Sequence, residues 1–172
     1  MVKIILSGYM GSGKSTAAQL LHRDTGLKVY DLDEVIEQKT QQSVAEIFAS
    51  KGEIHFRKIE HQTLRELLQS DEDFILSLGG GTPCYAGNDE LLKNSGASWV
   101  YLKASPATLF ERLANDRGRR PLLDGKSAGE MREFIAKSLF DRSYYYNQAA
   151  CKIDTDQKSP EEIAAELKLL LA

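Results

Sequence analysis

No stretch of this chain restricts its fold as much as residues 4–16, Ile-Ile-Leu-Ser-Gly-Tyr-Met-Gly-Ser-Gly-Lys-Ser-Thr. An apolar run too short for a helix ends in Gly8, Gly11 and Gly13, followed by Lys14 and the hydroxyls of Ser15 and Thr16. Gly8-x-x-x-x-Gly13-Lys14-Ser15 is the phosphate-binding loop pattern, and it lies between an expected strand and an expected helix. Glycines let successive N–H groups point into one anion-binding concavity, and the helix behind adds the positive end of its dipole. Gly11, Ser12, Gly13, Lys14, Ser15 and Thr16 are therefore candidate nucleotide contacts. Lys14 would reach the terminal phosphates and Ser15 would ligate a bridging Mg²⁺. A ligand-free glycine turn is the bland alternative; the spacing, the lysine, the hydroxyl and the flanking context together argue against it. The motif implies nucleotide binding and leaves the phosphate acceptor open.

The rest of the chain fits an α/β architecture. Short β-rich runs at Val2–Ser7, Leu27–Asp31, Phe74–Leu78, Trp99–Leu102 and Cys151–Ile153 alternate with helical patterns. The stronger runs are apolar throughout, as in strands covered on both faces. Helices are expected from Lys14 to Arg23, from Gly52 to Gln69 (with Phe56, Ile59, Leu64, Leu67 and Leu68 inward), after Ser105-Pro106, from Glu130 to Tyr146, and after Ser159-Pro160. Serine followed by proline suits an N-cap and first helical position. Alternating strands and helices imply a parallel sheet flanked by helices, with right-handed crossovers. At 172 residues the chain is the size of one domain, 1–172.

A net charge of −3 gives no general pull toward nucleic acid. No apolar run approaches the length of a membrane span, and the short N-terminal run lacks the features of a signal segment. A cytoplasmic protein, a monomer without nucleic-acid or membrane partners, is expected. Cys84 and Cys151 form no C-x-x-C pair and are expected to be reduced. His22, His55 and His61 are scattered, without the spacing of a zinc site.

Three further clusters bear on the acceptor. Asp31-Leu32-Asp33 ends the second strand, at the sheet edge where open α/β folds bind ligands. Asp31 could hold Mg²⁺, and Asp33 could take a proton from an acceptor hydroxyl; alternatively, Asp33 caps a helix from Glu34 to Lys39. Gly79-Gly80-Gly81 ends the third strand, where glycines allow backbone to approach a ligand closely. Arg57 and Arg142 are single arginines in helical stretches, which spacing alone cannot bring together. Between two helices, residues 115–126 carry Arg117, Arg119 and Arg120 and read as a mobile cationic loop.

The ordered set Gly-Tyr-Met-Gly-Ser-Gly-Lys-Ser-Thr, Asp31-Leu32-Asp33, Phe56-Arg57-Lys58-Ile59-Glu60, Leu76-Ser77-Leu78-Gly79-Gly80-Gly81, Arg120-Pro121-Leu122-Leu123 and Arg142-x-x-x-Tyr146 resembles the shikimate kinase family over essentially the whole chain. The resemblance implies a P-loop kinase fold related to nucleoside monophosphate kinases. That fold has a five-stranded parallel sheet of order 2-3-1-4-5, an acceptor-binding region near 32–60 and a mobile lid near 112–126. It implies ATP-dependent, Mg²⁺-assisted phosphorylation of the 3-hydroxyl of shikimate. In that reading Asp33 contacts the acceptor hydroxyl, Arg57 and Arg142 clamp the carboxylate, and Gly79, Gly80 and Gly81 line the site between shikimate and the γ-phosphate. Arg120 is the lid arginine on the phosphates, Arg112 stacks on adenine, and residues 156–160 match the adenine loop. Phe48 and Phe56 match apolar positions around the ring, although core packing explains them almost as well. Lys158 stands where an arginine is common, and Thr82-Pro83-Cys84 departs from the expected pattern. Trp99 reads as core. The alternatives are a P-loop kinase for another small hydroxy acid such as gluconate, or a nucleotide-binding module without an acceptor.

Overall fold

The computed structural model describes residues 1–115 and 125–171. Its elements run β1 (Lys3–Ser7), α1 (Lys14–Thr25), β2 (Lys28–Asp31), α2 (Leu32–Thr40), α3 (Val44–Gln69), β3 (Phe74–Ser77), a 3-10 turn (Thr82–Cys84), α4 (Asn88–Lys93), β4 (Ser98–Lys103), α5 (Pro106–Ala114), α6 (Ala128–Tyr146), β5 (Cys151–Asp154) and α7 (Pro160–Leu169). Among the described residues the strands form one parallel sheet in the order β2-β3-β1-β4-β5, as expected. The basic run, with Arg120 and most of the expected lid, falls at 116–124, outside the described residues.

Period-two alternation divides the core between the two faces of the sheet. Ile5, Phe74, Leu76, Trp99 and Tyr101 pack with side chains of α2, α3, α5 and α6. Their neighbours in the strands, Ile4, Leu6, Ile75, Val100 and Leu102, pack with α1 and α7 through Ala17, Leu21, Ile163 and Leu167. Continuously apolar strands follow from this, because both faces are covered. Trp99 is core, as read from the sequence; its indole Nε1 donates to Ser7 Oγ at 2.8 Å.

Two helical segments differ from expectation. α3 begins at Val44, well before Gly52, because Ser43 and Glu46 form a reciprocal capping box. The chain then breaks helical geometry at Gly52 (φ 80°, ψ 173°), so the segment after that glycine is the one the sequence pattern identified. α4, with six residues, is too short to show a period. No described helix is long and apolar enough to cross a membrane. Cys84 and Cys151 are both free thiols.

Candidate active site

The C-terminal edge of the sheet carries the functional side chains. β1 runs into the glycine loop, β2 into Asp31 and Asp33, and β3 into Gly79–Gly81. The two glycine-bearing ends and the Asp pair share one cleft of about 580 Å³, lined by Gly11, Lys14, Ser15, Asp33, Gly80 and Arg112 among others.

The phosphate side is built from backbone. Gly8 has φ 150°, and a methyl group there would meet Leu102 O at 2.6 Å and Ser12 Oγ at 2.7 Å, so no larger residue fits. α1 starts behind Gly13 with no side-chain cap and no acidic residue in its first turn. By contrast α2, α3, α5, α6 and α7 are each capped by an aspartate or serine side chain. The leading N–H groups of α1 thus suit an anion from outside the chain. Lys14 Nζ donates to the carbonyls of Gly8 at 2.8 Å and Tyr9 at 3.1 Å, which holds the half-buried ammonium against the loop. Ser15 and Thr16 are exposed and line the cleft.

At the far end of the cleft, Arg112 ties the loop to the chain after β5. Its Nη1 donates to Gly11 O at 3.1 Å and its Nη2 to Thr155 O at 2.9 Å. Lys158 lines the same end and pairs with Glu166 at 2.6 Å.

Asp31, and not Asp33, caps α2. Asp31 Oδ1 accepts from the backbone N–H groups of Asp33 at 3.0 Å and Glu34 at 3.4 Å. The alternative in which Asp33 caps a helix from Glu34 is therefore corrected: the helix starts at Leu32, which leaves the Asp33 carboxylate outside the capping role. Burial, first, and then the neighbouring carboxylates of Asp31, Glu60 and Glu37 push the Asp33 carboxyl up to about 6, against the opposing effect of Arg57.

The three glycines after β3 face three different side chains. A methyl group on Gly79 would lie 3.4 Å from Asp33 Oδ1; on Gly80, 3.1 Å from Arg142 Nη1; on Gly81, 2.9 Å from Arg57 Nη2. One aspartate and two arginines from three separate elements thus meet one glycine strip. Both guanidinium groups also lie near the Cys84 thiol, whose burial nevertheless pushes its pKa up to about 11. Arg142 sits over the Tyr9 ring at 5.3 Å. One turn further along α6, Tyr146 donates its hydroxyl to Gly80 O. Arg57 stacks on Tyr85 at 4.0 Å and donates from Nη1 to Glu60 Oε2 at 2.8 Å. Its buried Nε makes no hydrogen bond among the described residues, which leaves donor capacity on that edge. Phe48 and Phe56 pack ring to ring at 4.7 Å within the core cluster.

Glu60, which sequence reasoning leaves without a role of its own, is fully buried and holds Arg57. Its signal was present: it lies four residues from Phe56 and from Leu64, inside the inward stripe of α3, and three from Arg57. Tyr85 has no such periodic signal, because it follows a turn.

The shikimate kinase family model matches residues 10–172. Shikimate kinase of Flavobacterium johnsoniae is 50% identical over 172 residues, 100% of both chains. A crystal structure of shikimate kinase from Bacteroides thetaiotaomicron superposes with a TM-score of 0.90 at 34% identity, covering 99% of this chain and 98% of that one. Shikimate kinase from Acinetobacter baumannii in complex with shikimate gives 0.83 at 31% identity, covering 99% and 93%. The family model spans most of the chain and the curated relative all of it, so the chain belongs to the shikimate kinase family.

Proposed function

We propose that this cleft transfers the γ-phosphoryl group of ATP to the 3-hydroxyl of shikimate, giving shikimate 3-phosphate and ADP, a step of chorismate and aromatic amino-acid biosynthesis. Family membership makes the chain an ATP-dependent kinase and disfavours both a gluconate-type kinase and a non-catalytic nucleotide module. The observation that supports these residue roles is the glycine strip, whose successive members lie close to Asp33, Arg142 and Arg57.

Phosphates enter the nest of α1, where the leading N–H groups and Lys14 spread the negative charge. Arg112 and Lys158 flank the opposite end, where the base would sit. Arg57 and Arg142 hold the acceptor carboxylate, to which two guanidinium forks are better matched than ammonium groups. Asp33, poised near neutrality by burial, accepts the hydroxyl proton as the oxygen attacks in line. Transfer is then mainly a matter of positioning and charge neutralisation. Ser15 and Asp31 would hold Mg²⁺ with phosphate oxygens and water. Such an ion would supply positive charge that offsets the charge developing on the phosphates. Arg120 would add a further cation to the phosphates. A monomer in the cytoplasm completes the reading.

The deciding experiment is coupled ADP release with ATP and a panel of acids. Shikimate should be the preferred acceptor, gluconate poor, and ATP alone nearly inert. Equal turnover with gluconate, or turnover independent of any acid, contradicts the assignment.

A further inference from the structure

The Thr82-Pro83-Cys84 segment that departs from the expected pattern holds a side chain with a definite partner. Thr82 is fully buried, and its hydroxyl donates to Glu60 Oε1 at 2.7 Å. The other oxygen of that carboxylate, Oε2, receives Arg57 Nη1 at 2.8 Å. The buried Asn88, first residue of α4, donates from Nδ2 to Thr82 O at 2.8 Å, and its Oδ1 faces His61 Nδ1, also at 2.8 Å. Asn88 Nδ2 is thus a donor and Oδ1 an acceptor, so His61 carries its proton on Nδ1. The hydrogen bonds run from His61 to Asn88 to Thr82 to Glu60, where Arg57 arrives from the other side. The path leaves α3 at His61, crosses α4 and the 3-10 turn, and returns to α3 at Glu60, the residue just before His61.

We propose that Thr82, anchored by Asn88, is a positioning residue for acceptor binding: it fixes Glu60, and through Glu60 it fixes the direction of the Arg57 guanidinium. The inference rests on the carboxylate-clamp reading of Arg57. A carboxylate with one hydrogen-bonded oxygen can turn about its terminal torsion, which is soft. With both oxygens engaged in a buried site it cannot turn without leaving one unsatisfied. Arg57 has three further neighbours, Tyr85, Phe56 and Glu53; two are ring faces, and the third, Glu53, is exposed and faces Nε and Nη2 only at 3.5 Å each. The ring faces leave the in-plane direction of the fork open, and the long, solvent-exposed Glu53 contact holds it far less firmly than the buried 2.8 Å bond to Glu60. Direction matters because two forks must meet one planar carboxylate. The departure in sequence after the glycines is therefore a local means of orienting the arginine.

The test compares wild type with Thr82→Val, which keeps the shape and removes the donor, and with Thr82→Ser, which restores it. Thr82→Val should raise KM for shikimate about fivefold to thirtyfold, the effect of an unsatisfied buried acceptor. KM for ATP and kcat should stay within about twofold, and Thr82→Ser should restore wild-type behaviour. Asn88→Asp turns the donor toward Thr82 O into an acceptor and should produce the same selective rise, so the inference stays testable if Thr82→Val does not fold. Shikimate KM unchanged in Thr82→Val and Asn88→Asp, or both substrates' KM rising together as in a general loosening, overturns it. Arg57→Ala serves as the separate control. If Arg57→Ala leaves shikimate KM untouched, the clamp itself fails; if Arg57→Ala is damaging and Thr82→Val is silent, only the positioning inference fails.

Discussion

The Tyr146 hydroxyl donates to the carbonyl of Gly80 at 2.5 Å, and so ties the end of α6 to the middle of the glycine strip. Arg142 lies one turn earlier on the same helix, so this bond sets the distance between the arginine and the strip. Tyr146 is fully buried and stacks on Tyr101 at 5.0 Å. Tyr146→Phe keeps the stacking and removes the bond. It should lower stability by about 1 kcal/mol, read as a fall in the urea midpoint, and raise shikimate KM while leaving that for ATP unchanged. A variant with both wild-type stability and wild-type KM would show that the bond has no such role.

Gly81→Ala separates folding from binding. The added methyl meets Arg57 Nη2 at 2.9 Å. That atom is the end of a flexible side chain, so the fold can adjust, but the guanidinium must move from its place beside Glu60. The expected result is a melting temperature close to wild type with shikimate use reduced more than tenfold, the loss expected from a displaced buried charge contact of about 2 kcal/mol or more. Gly8→Ala is the contrast: its methyl meets a backbone carbonyl at 2.6 Å, and both stability and ATP binding should suffer.

Arg57→Ala and Arg142→Ala should each cost about 2–5 kcal/mol of acceptor binding, with ATP affinity nearly unchanged. Arg→Lys should rescue only in part, because one ammonium cannot form a fork. Isothermal titration with shikimate and, separately, with a non-hydrolysable ATP analogue distinguishes the two effects. Normal shikimate binding by both alanine variants would contradict the clamp.

Asp33 gives a signed pH dependence. Its carboxyl, raised from 3.8 to about 6, binds protons more tightly in the fold than in the unfolded chain. Its favourable effect on stability is complete below about pH 4 and is lost as pH rises through about 6. Asp33→Asn should therefore be more stable than wild type at about pH 8, by about 2 to 3 kcal/mol, with the difference fading in acid. Over the same range kcat/KM of the wild type should rise with pH through about 6, as a base is freed. Asp33→Asn should lose most activity, and its residual rate should lack that rise. Denaturant midpoints at the two pH values, set beside the rate profile, check both halves.

What was legible in the sequence was local. The five strands, the glycine loop and the Ser-Pro helix starts are written in adjacent residues, so Ser105 and Ser159 cap where the pattern put them. The capping box at Ser43 and Glu46 was equally local, and reading it would have placed the start of α3 at Val44. The division of labour between Asp31 and Asp33 was not legible, because either residue can cap a helix and only the backbone decides which oxygen faces the N–H groups. The placement of Arg57 and Arg142 beside neighbouring glycines was expected from resemblance alone, since it depends on where α3 and α6 pack over the sheet. Thr82, Asn88 and His61 are joined through space between three elements, and no period or spacing connects them.

The only tryptophan of the chain is Trp99, and its place has a practical consequence. Its indole is buried in the middle of the sheet and bonded to Ser7, the residue before Gly8. Fluorescence of the unmodified protein excited selectively at tryptophan, beyond the absorption of its seven tyrosines, is therefore a single-site optical signal, emitted from the strand pair that carries the phosphate loop. A red shift of that emission reports exposure of Trp99 to water, and with it the opening of β1 from β4.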